Sequence, residues 1–215
     1  MNIDETVDAL FAALPALDAG ELPSDSTPFR RIEMDFGGAD TAWFESPFGG
    51  EVKGCPAGKG PRPVYLVVDA AWGEVSAVLL QYGDTRPVKV AWELGGWRVA
   101  TVCGLLTLHG RELNTGKDAV RPLAGRALGV LRRRPPTSKL WDRAAELTEG
   151  MTKDHFDPES LVLDPEPGDF GEGWLLLDDP AGPALGCFVD PDGHSMVVCL
   201  DADGNDVAAL VYGVL

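Results

Sequence analysis

The sequence predicts an α+β protein in which two antiparallel β-meanders, one central and one C-terminal, pack with an N-terminal helix and two central helices. Three observations carry this expectation. Gly182, Gly193 and Gly204 recur at an 11-residue step, each inside an Asp-bearing turn, which is the length of one strand plus one turn. Residues 64 to 108 hold apolar runs separated by turn residues, with Gly95-Gly96 the clearest two-residue turn among them. Apolar residues also recur at three- and four-residue intervals near the N-terminus and between residues 120 and 147.

At the N-terminus Ile3, Val7, Leu10, Phe11 and Leu14 form one helical stripe, and Asn2 with Glu5 suits a capping box. Pro15 and then Gly20 are expected to end the helix, and its stripe to dock on the chain's own core. Two strands follow, Phe29 to Phe36 and Thr41 to Glu45, and then a Gly- and Pro-rich loop from Pro47 to Pro63. In the first strand Arg30, Ile32, Met34 and Phe36 share one face and Phe29, Arg31, Glu33 and Asp35 the other, so only the former is expected to face the core.

The central meander comprises Val64 to Asp69, Val75 to Tyr82, Val88 to Leu94 and Trp97 to Leu108. A hairpin turning at Gly95-Gly96 pairs Leu94 with Trp97, Glu93 with Arg98 and Trp92 with Val99, one opposite-charge pair between two bulky apolar ones. The first central helix carries Val120, Leu123, Ala124, Ala127, Leu128 and Leu131, with Asp118 as its cap and Pro122 in the first turn. Arg132 to Arg134 complement its C-terminal dipole, and Pro135-Pro136 stops it. The second begins at Thr137 or Ser138 and carries Leu140, Trp141, Ala144, Ala145 and Leu147 before Gly150.

Residues 151 to 173 are acidic and rich in Pro and Gly, a long surface connection and the best candidate for a boundary between residues 1–150 and 174–215. A single continuous domain is the alternative. The C-terminal meander runs through Trp174 to Leu177, Ala184 to Val189, Ser195 to Leu200 and Val207 to Val214.

Composition narrows the function classes. The apolar share of 45% and charged share of 24% are those of a folded globular chain. No run reaches the ~20 apolar residues of a membrane span, and Asn2, Asp4, Glu5 and Asp8 are not a secretory leader. Cys55, Cys103, Cys187 and Cys199 are widely spaced, which favours reduced, buried thiols and a cytoplasmic location. The net charge of −16 is unevenly spread. Residues 1–88 carry six basic against fourteen acidic residues, 89–143 eleven against four, and 144–215 one against sixteen. Such acidic ends repel nucleic acid and anionic membranes and attract a basic protein; the bland reading is a solubility surface.

The motifs fall short of any known chemistry. Asp201, Asp203, Asn205 and Asp206 offer oxygens, but the loop has neither the glycine placement nor the bidentate Glu of a calcium loop, and Asp-Gly is ordinary turn chemistry. Cys187 and Cys199 flank the turn at 192–193; a two-residue loop pairs Cys187 with Val198, whereas a three-residue loop ending at His194 opposes the cysteines. Gly54 to Gly60 and Gly110 to Lys117 both miss the phosphate-loop spacing. His109, His155 and His194 have no partner supplied by spacing, no nucleophile elbow is present, and Cys103 with His109 is the one pair to inspect for catalysis.

The expectation is therefore a non-catalytic, acidic protein-binding protein without cofactor or metal, of the kind represented by immunity proteins, inhibitors and adaptors, with a basic partner. Asp154, Asp157, Glu159, Asp164, Glu166 and Asp169 in the acidic connection are the expected contacts. Asp192 and Asp203 at the hairpin tips complete them. A small enzyme or ligand-binding domain, with a pocket between the central sheet and the two helices lined by Cys103, His109, Trp92 or Trp97, is the second reading. The third, a component of a larger assembly, requires the N-terminal stripe to be exposed.

Overall fold

The computed structural model describes residues 3–21, 27–46, 52–69, 74–99, 101, 104–110, 173–177, 182–190 and 194–213. These form one helix, α1 (Ile3–Ala19), and twelve strands: β1 (Phe29–Met34), β2 (Thr41–Glu45), β3 (Lys53–Pro56), β4 (Arg62–Asp69), β5 (Glu74–Gln81), β6 (Lys89–Val90), β7 (Trp97–Val99), β8 (Leu105–His109), β9 (Trp174–Leu177), β10 (Ala184–Phe188), β11 (His194–Leu200) and β12 (Asp206–Gly213). All pairings among them are antiparallel. The two expected central helices lie outside the described residues, as does the acidic connection from Met151 to Glu172.

The strands make two sheets. A seven-stranded sheet has the order β1-β4-β5-β12-β11-β6, with β7 also on β11, and a five-stranded sheet has the order β3-β2-β8-β10-β9. Period-two alternation explains how they stack. Met34, Val64, Leu66, Val78, Leu80, Ala209 and Val211 point from the larger sheet into a core that receives Ala42, Phe44, Leu106, Leu108, Leu185 and Cys187 from the smaller. The larger sheet's other face, carrying Tyr65, Val67, Ala77, Leu79, Val197, Ala208 and Leu210, is covered by Val7, Leu10, Leu14 and Leu17 of α1. Its central strands are therefore apolar on both faces and read as continuous runs.

Helix α1 docks its stripe on its own sheet, as expected, so the stripe is covered and not exposed. It does not end at Pro15, which sits inside the helix with its side facing solvent. The ring removes one donor and the continuation buries Leu17, and the end is fixed further on by Gly20, at φ 68°. There Gly20 N donates to Leu17 O at 3.2 Å and Glu21 N to Ala16 O at 2.9 Å, the paired bonds of a Schellman cap. Asp18, in the last turn where a helix dipole opposes negative charge, is held by Tyr65 Oη at 2.6 Å, Arg86 Nε at 2.8 Å and Arg31 Nε at 3.2 Å. Partial burial works against its ionisation, but these bonds outweigh it and hold the carboxyl below its usual value.

Four further expectations change. Phe29 and Arg31, assigned to the solvent face of β1, meet the α1 layer, Phe29 by packing and Arg31 through Asp18. The Gly/Pro loop contains β3, an edge strand on β2, where Pro56 is tolerated because one side of the strand needs no ladder bond. The C-terminal meander has its four strands but not its continuity: β9 and β10 belong to the smaller sheet, β11 and β12 to the larger, and β10 does not pair with β11. Cys187 and Cys199 thus lie in different cores, and neither hairpin register relating them occurs. Finally, the Gly95-Gly96 hairpin does not form, because β6 and β7 both pair with β11 instead.

Candidate functional site

The broken hairpin creates the feature that stands out on the surface. Along β11, Leu200 pairs with Lys89 and Cys199 with Val90, while Met196 pairs with Trp97, Ser195 with Arg98 and His194 with Val99. Ala91 to Gly96 thus bridge two β11 positions only three residues apart, a span of about 10 Å along a strand. The surplus chain has to leave the sheet. Ala91 N still reaches Val198 O at 2.9 Å, after which Trp92–Leu94 wind into a 3-10 turn closed by Leu94 N to Ala91 O and Gly95 N to Trp92 O, both 3.1 Å. Gly95, at φ 71°, turns the chain back in a conformation that L side chains resist.

Side chains on this bulge stay in solvent. Leu94 is 62% exposed, Val88 53%, and Trp92 and Trp97 42% each; of the large hydrophobics exposed among the described residues, only Leu176 lies elsewhere. Trp92 is braced edge-on by Tyr212 of β12, with ring centroids 5.6 Å apart and planes at 87°. Tyr212 packs with the α1 layer and Trp97 is in register with Met196, which faces the inter-sheet core, so the two tryptophans flank the sheet edge from opposite faces. The segment from Arg86 to Val99 carries Arg86, Lys89 and Arg98 against Glu93, a basic stretch on a chain of net charge −16. Among the described residues, β7 has a neighbour on one side only.

The expected contact residues are not found there. Asp154, Asp157, Glu159, Asp164, Glu166, Asp169 and Asp192 lie outside the described residues. Asp203 is exposed in the β11–β12 turn, but that turn is organised by Asp201. Asp201 Oδ1 accepts from Asp203 N at 3.0 Å and Asn205 N at 2.8 Å, and Oδ2 accepts from Thr85 Oγ1 at 2.7 Å and Asn205 Nδ2 at 3.0 Å. Led by the Thr85 bond, these contacts hold the Asp201 carboxyl down at about 2. Its oxygens are occupied by the turn itself. Asp201→Ala is accordingly expected to lower the melting temperature by a few degrees and to loosen the β5–β6 connection through Thr85; unchanged amide exchange at Asn205 would contradict this.

The candidate catalytic groups that the structure describes are enclosed. Cys103 lies outside the described residues. His109 ends β8, with Nε2 2.6 Å from Glu45 Oε1 and side-chain exposures of 5% and 2%; Thr107 Oγ1, between them, donates to Glu45 O at 2.9 Å. Burial pushes the Cys55 and Cys199 thiols up to about 12 and the Cys187 thiol higher still, so all three stay protonated and unreactive at neutral pH. His194 is buried, with Nδ1 3.2 Å from Thr101 Oγ1. Burial lowers its pKa to about 4, against a smaller opposing influence of Asp190. A cleft of about 310 Å³ lies between Phe36–Ala39, Gly110 and Gly182–Pro183, and among the described residues no titratable or nucleophilic side chain lines it. The second reading places its pocket between the central sheet and the two central helices, which lie outside the described residues; of the residues named for it, His109 is inside the smaller sheet and Trp92 and Trp97 are on the rim of the larger.

Sequence reasoning named Trp92 and Trp97 and placed them in a local hairpin, Trp92 opposite Val99 and Trp97 opposite Leu94. The signal for the bulge was the length of chain between Val90 and Trp97, which fits an outlying loop as well as it fits a hairpin. Comparison with protein families, with curated proteins and with solved structures returned no match. No helix among the described residues is long and apolar enough to cross a membrane.

Proposed function

We propose that the chain is a non-catalytic protein-binding protein that anchors its partner on the Trp92–Trp97 bulge. The observation that carries this reading is the exposure of Trp92 and Leu94 on a looped-out segment at a sheet edge and of Trp97 on the strand that follows it. Tryptophan is enriched among interface residues that dominate binding, and its rigid ring fills a pocket at small entropic cost. Leu94 and Trp92 are braced by the 3-10 turn and by Tyr212, so little order has to be imposed on docking.

The acidic body supplies steering. At −16 it raises the encounter rate with a basic protein while the bulge supplies the affinity, the division of labour expected of an immunity protein, inhibitor or adaptor acting in the cytoplasm. The partner's receiving surface is then an apolar pocket within a basic surround, with an acidic group placed for Arg98.

The test is affinity capture from the native host by the full chain and by two variants. Leu94→Asp, at a side chain with 62% exposure, leaves the fold intact and places a charge in the interface. Trp92→Ala removes the anchor, at about 2 kcal/mol or near thirtyfold in affinity. A partner held by the native chain, released by both variants and bound more slowly at high salt supports the proposal. Retention by Leu94→Asp at undiminished affinity would sink it.

A further inference from the structure

We infer that in the absence of its partner the bulge is covered by a second copy of the same chain, in a twofold-symmetric dimer. The inference rests on the reading of the bulge as an anchor and adds what occupies it.

The bulge is self-complementary. A twofold axis passing beside Gly95-Gly96 brings Glu93 of one copy to Arg98 of the other, twice, and sets Leu94 of each beside Trp97 of its mate. These are the pairs a local hairpin would have made, and within one chain they are unmade because Trp97 and Arg98 are committed to β11. The axis position is sterically open on the Gly95 side, where a side chain would meet nothing within 4 Å, whereas one at Gly96 would meet Val197 of β11 at 3.3 Å; a second backbone can therefore approach closely at Gly95. β7 offers to that approach the side that has no neighbour among the described residues. An isologous contact of this kind needs one patch that contains both members of each pair, and residues 93 to 98 contain them.

Magnitudes fix the strength. The exposed parts of Val88, Trp92, Leu94 and Trp97 amount to on the order of 400 Å² per copy, about half of what each partner buries in a standard stable interface, so the dimer belongs in the micromolar range. Charge fixes the salt dependence. Two bodies of −16 repel over a Debye length that is ~30 Å at 0.01 M salt and ~8 Å at 0.15 M, whereas the Glu93–Arg98 contacts are short-range. Self-association therefore strengthens as salt rises, opposite in sign to capture of a basic partner.

Sedimentation velocity on the full chain, from ~1 to ~300 µM at ~0.01 and ~0.3 M NaCl, tests this. The expected result is a monomer–dimer equilibrium at least tenfold tighter at the higher salt. Leu94→Asp should be monomeric throughout. Glu93→Arg and Arg98→Glu should each weaken the dimer about tenfold, and the double variant should restore it, an outcome that general misfolding would not produce. A native chain that is monomeric at every condition overturns the inference and leaves the anchor reading standing if Leu94→Asp still loses the heterologous partner. A dimer indifferent to Leu94→Asp and to the charge exchange also overturns it, by placing the contact elsewhere.

Discussion

Replacing Glu45 by Leu, or His109 by Leu, is expected to destabilise the fold by about 3–5 kcal/mol, while replacing both together costs at least ~2 kcal/mol less than the sum of the two. Glu45 and Trp43 share the face of β2 opposite to Phe44, and β8 presents Thr107 and His109 on the matching face, with Glu45 in register with Thr107 and Trp43 with His109. A carboxylate and an imidazole 2.6 Å apart, at 2% and 5% side-chain exposure, have exchanged water for one another. Removing either takes from a buried polar group its close partner of complementary charge in a site that excludes solvent, and the desolvation of the group that remains is then less well repaid. Removing both leaves two aliphatic side chains between β2 and β8, whose other face already packs Phe44, Leu106 and Leu108, which restores much of the stability. Urea unfolding of the two single variants and the double, analysed as a cycle, measures the coupling. Additive single effects below ~1 kcal/mol each would show that the pair is not coupled.

This pair also marks where sequence reading stopped. Thr41 to Glu45 was legible as a strand because Ala42 and Phe44 alternate with Thr41, Trp43 and Glu45. That Glu45 would be enclosed was not, since an acidic residue on the second face of an antiparallel strand ordinarily meets water. The four C-terminal strands were legible from turn chemistry alone, yet an Asp-Pro-Asp-Gly turn serves equally well to fold a hairpin or to pass the chain between sheets. The segment between β10 and β11 passes between sheets. At Gly95-Gly96 every local preference favoured a hairpin, and the longer strand β11, with five positions to offer across β6 and β7, prevailed. The candidate site follows from that override: residues that local pairing would have turned towards each other were left facing outward.

Between pH 6.5 and about 4 the native protein is expected to lose about 3 kcal/mol of stability through His194 alone. Burial is the cause. The imidazole is 2% exposed, Thr101 Oγ1 meets Nδ1, and Nε2 lies against the backbone of Gly213, where a Cβ would come within 3.3 Å of it, and has no hydrogen-bond partner among the described residues. The neutral ring fits this site and the charged ring does not, so the folded chain resists protonation until about pH 4 while the unfolded chain takes up a proton near 6.5. Because the unfolded state binds more protons across that window, unfolding becomes easier as pH falls, by about 1.4 kcal/mol for each pH unit, and the loss levels off below pH 4. The depressed carboxyl of Asp201, at about 2, acts in a separate window: its contribution is present above its ordinary value near 3.8 and lost only as pH falls towards 2. Urea unfolding at pH 7.0 and 4.5 therefore isolates the histidine. His194→Phe keeps an aromatic ring there and cannot titrate, so its stability should change by at least ~2 kcal/mol less than that of the native chain between these two pH values. Equal losses in the two proteins would assign the acid sensitivity to other groups. The strand at stake is β11, whose His194 faces Val99 of β7, so the same protonation loosens the edge that carries Trp97. Partner affinity and native-state amide exchange in β7 should fall and rise, respectively, over the same pH interval, and His194→Phe should hold both constant.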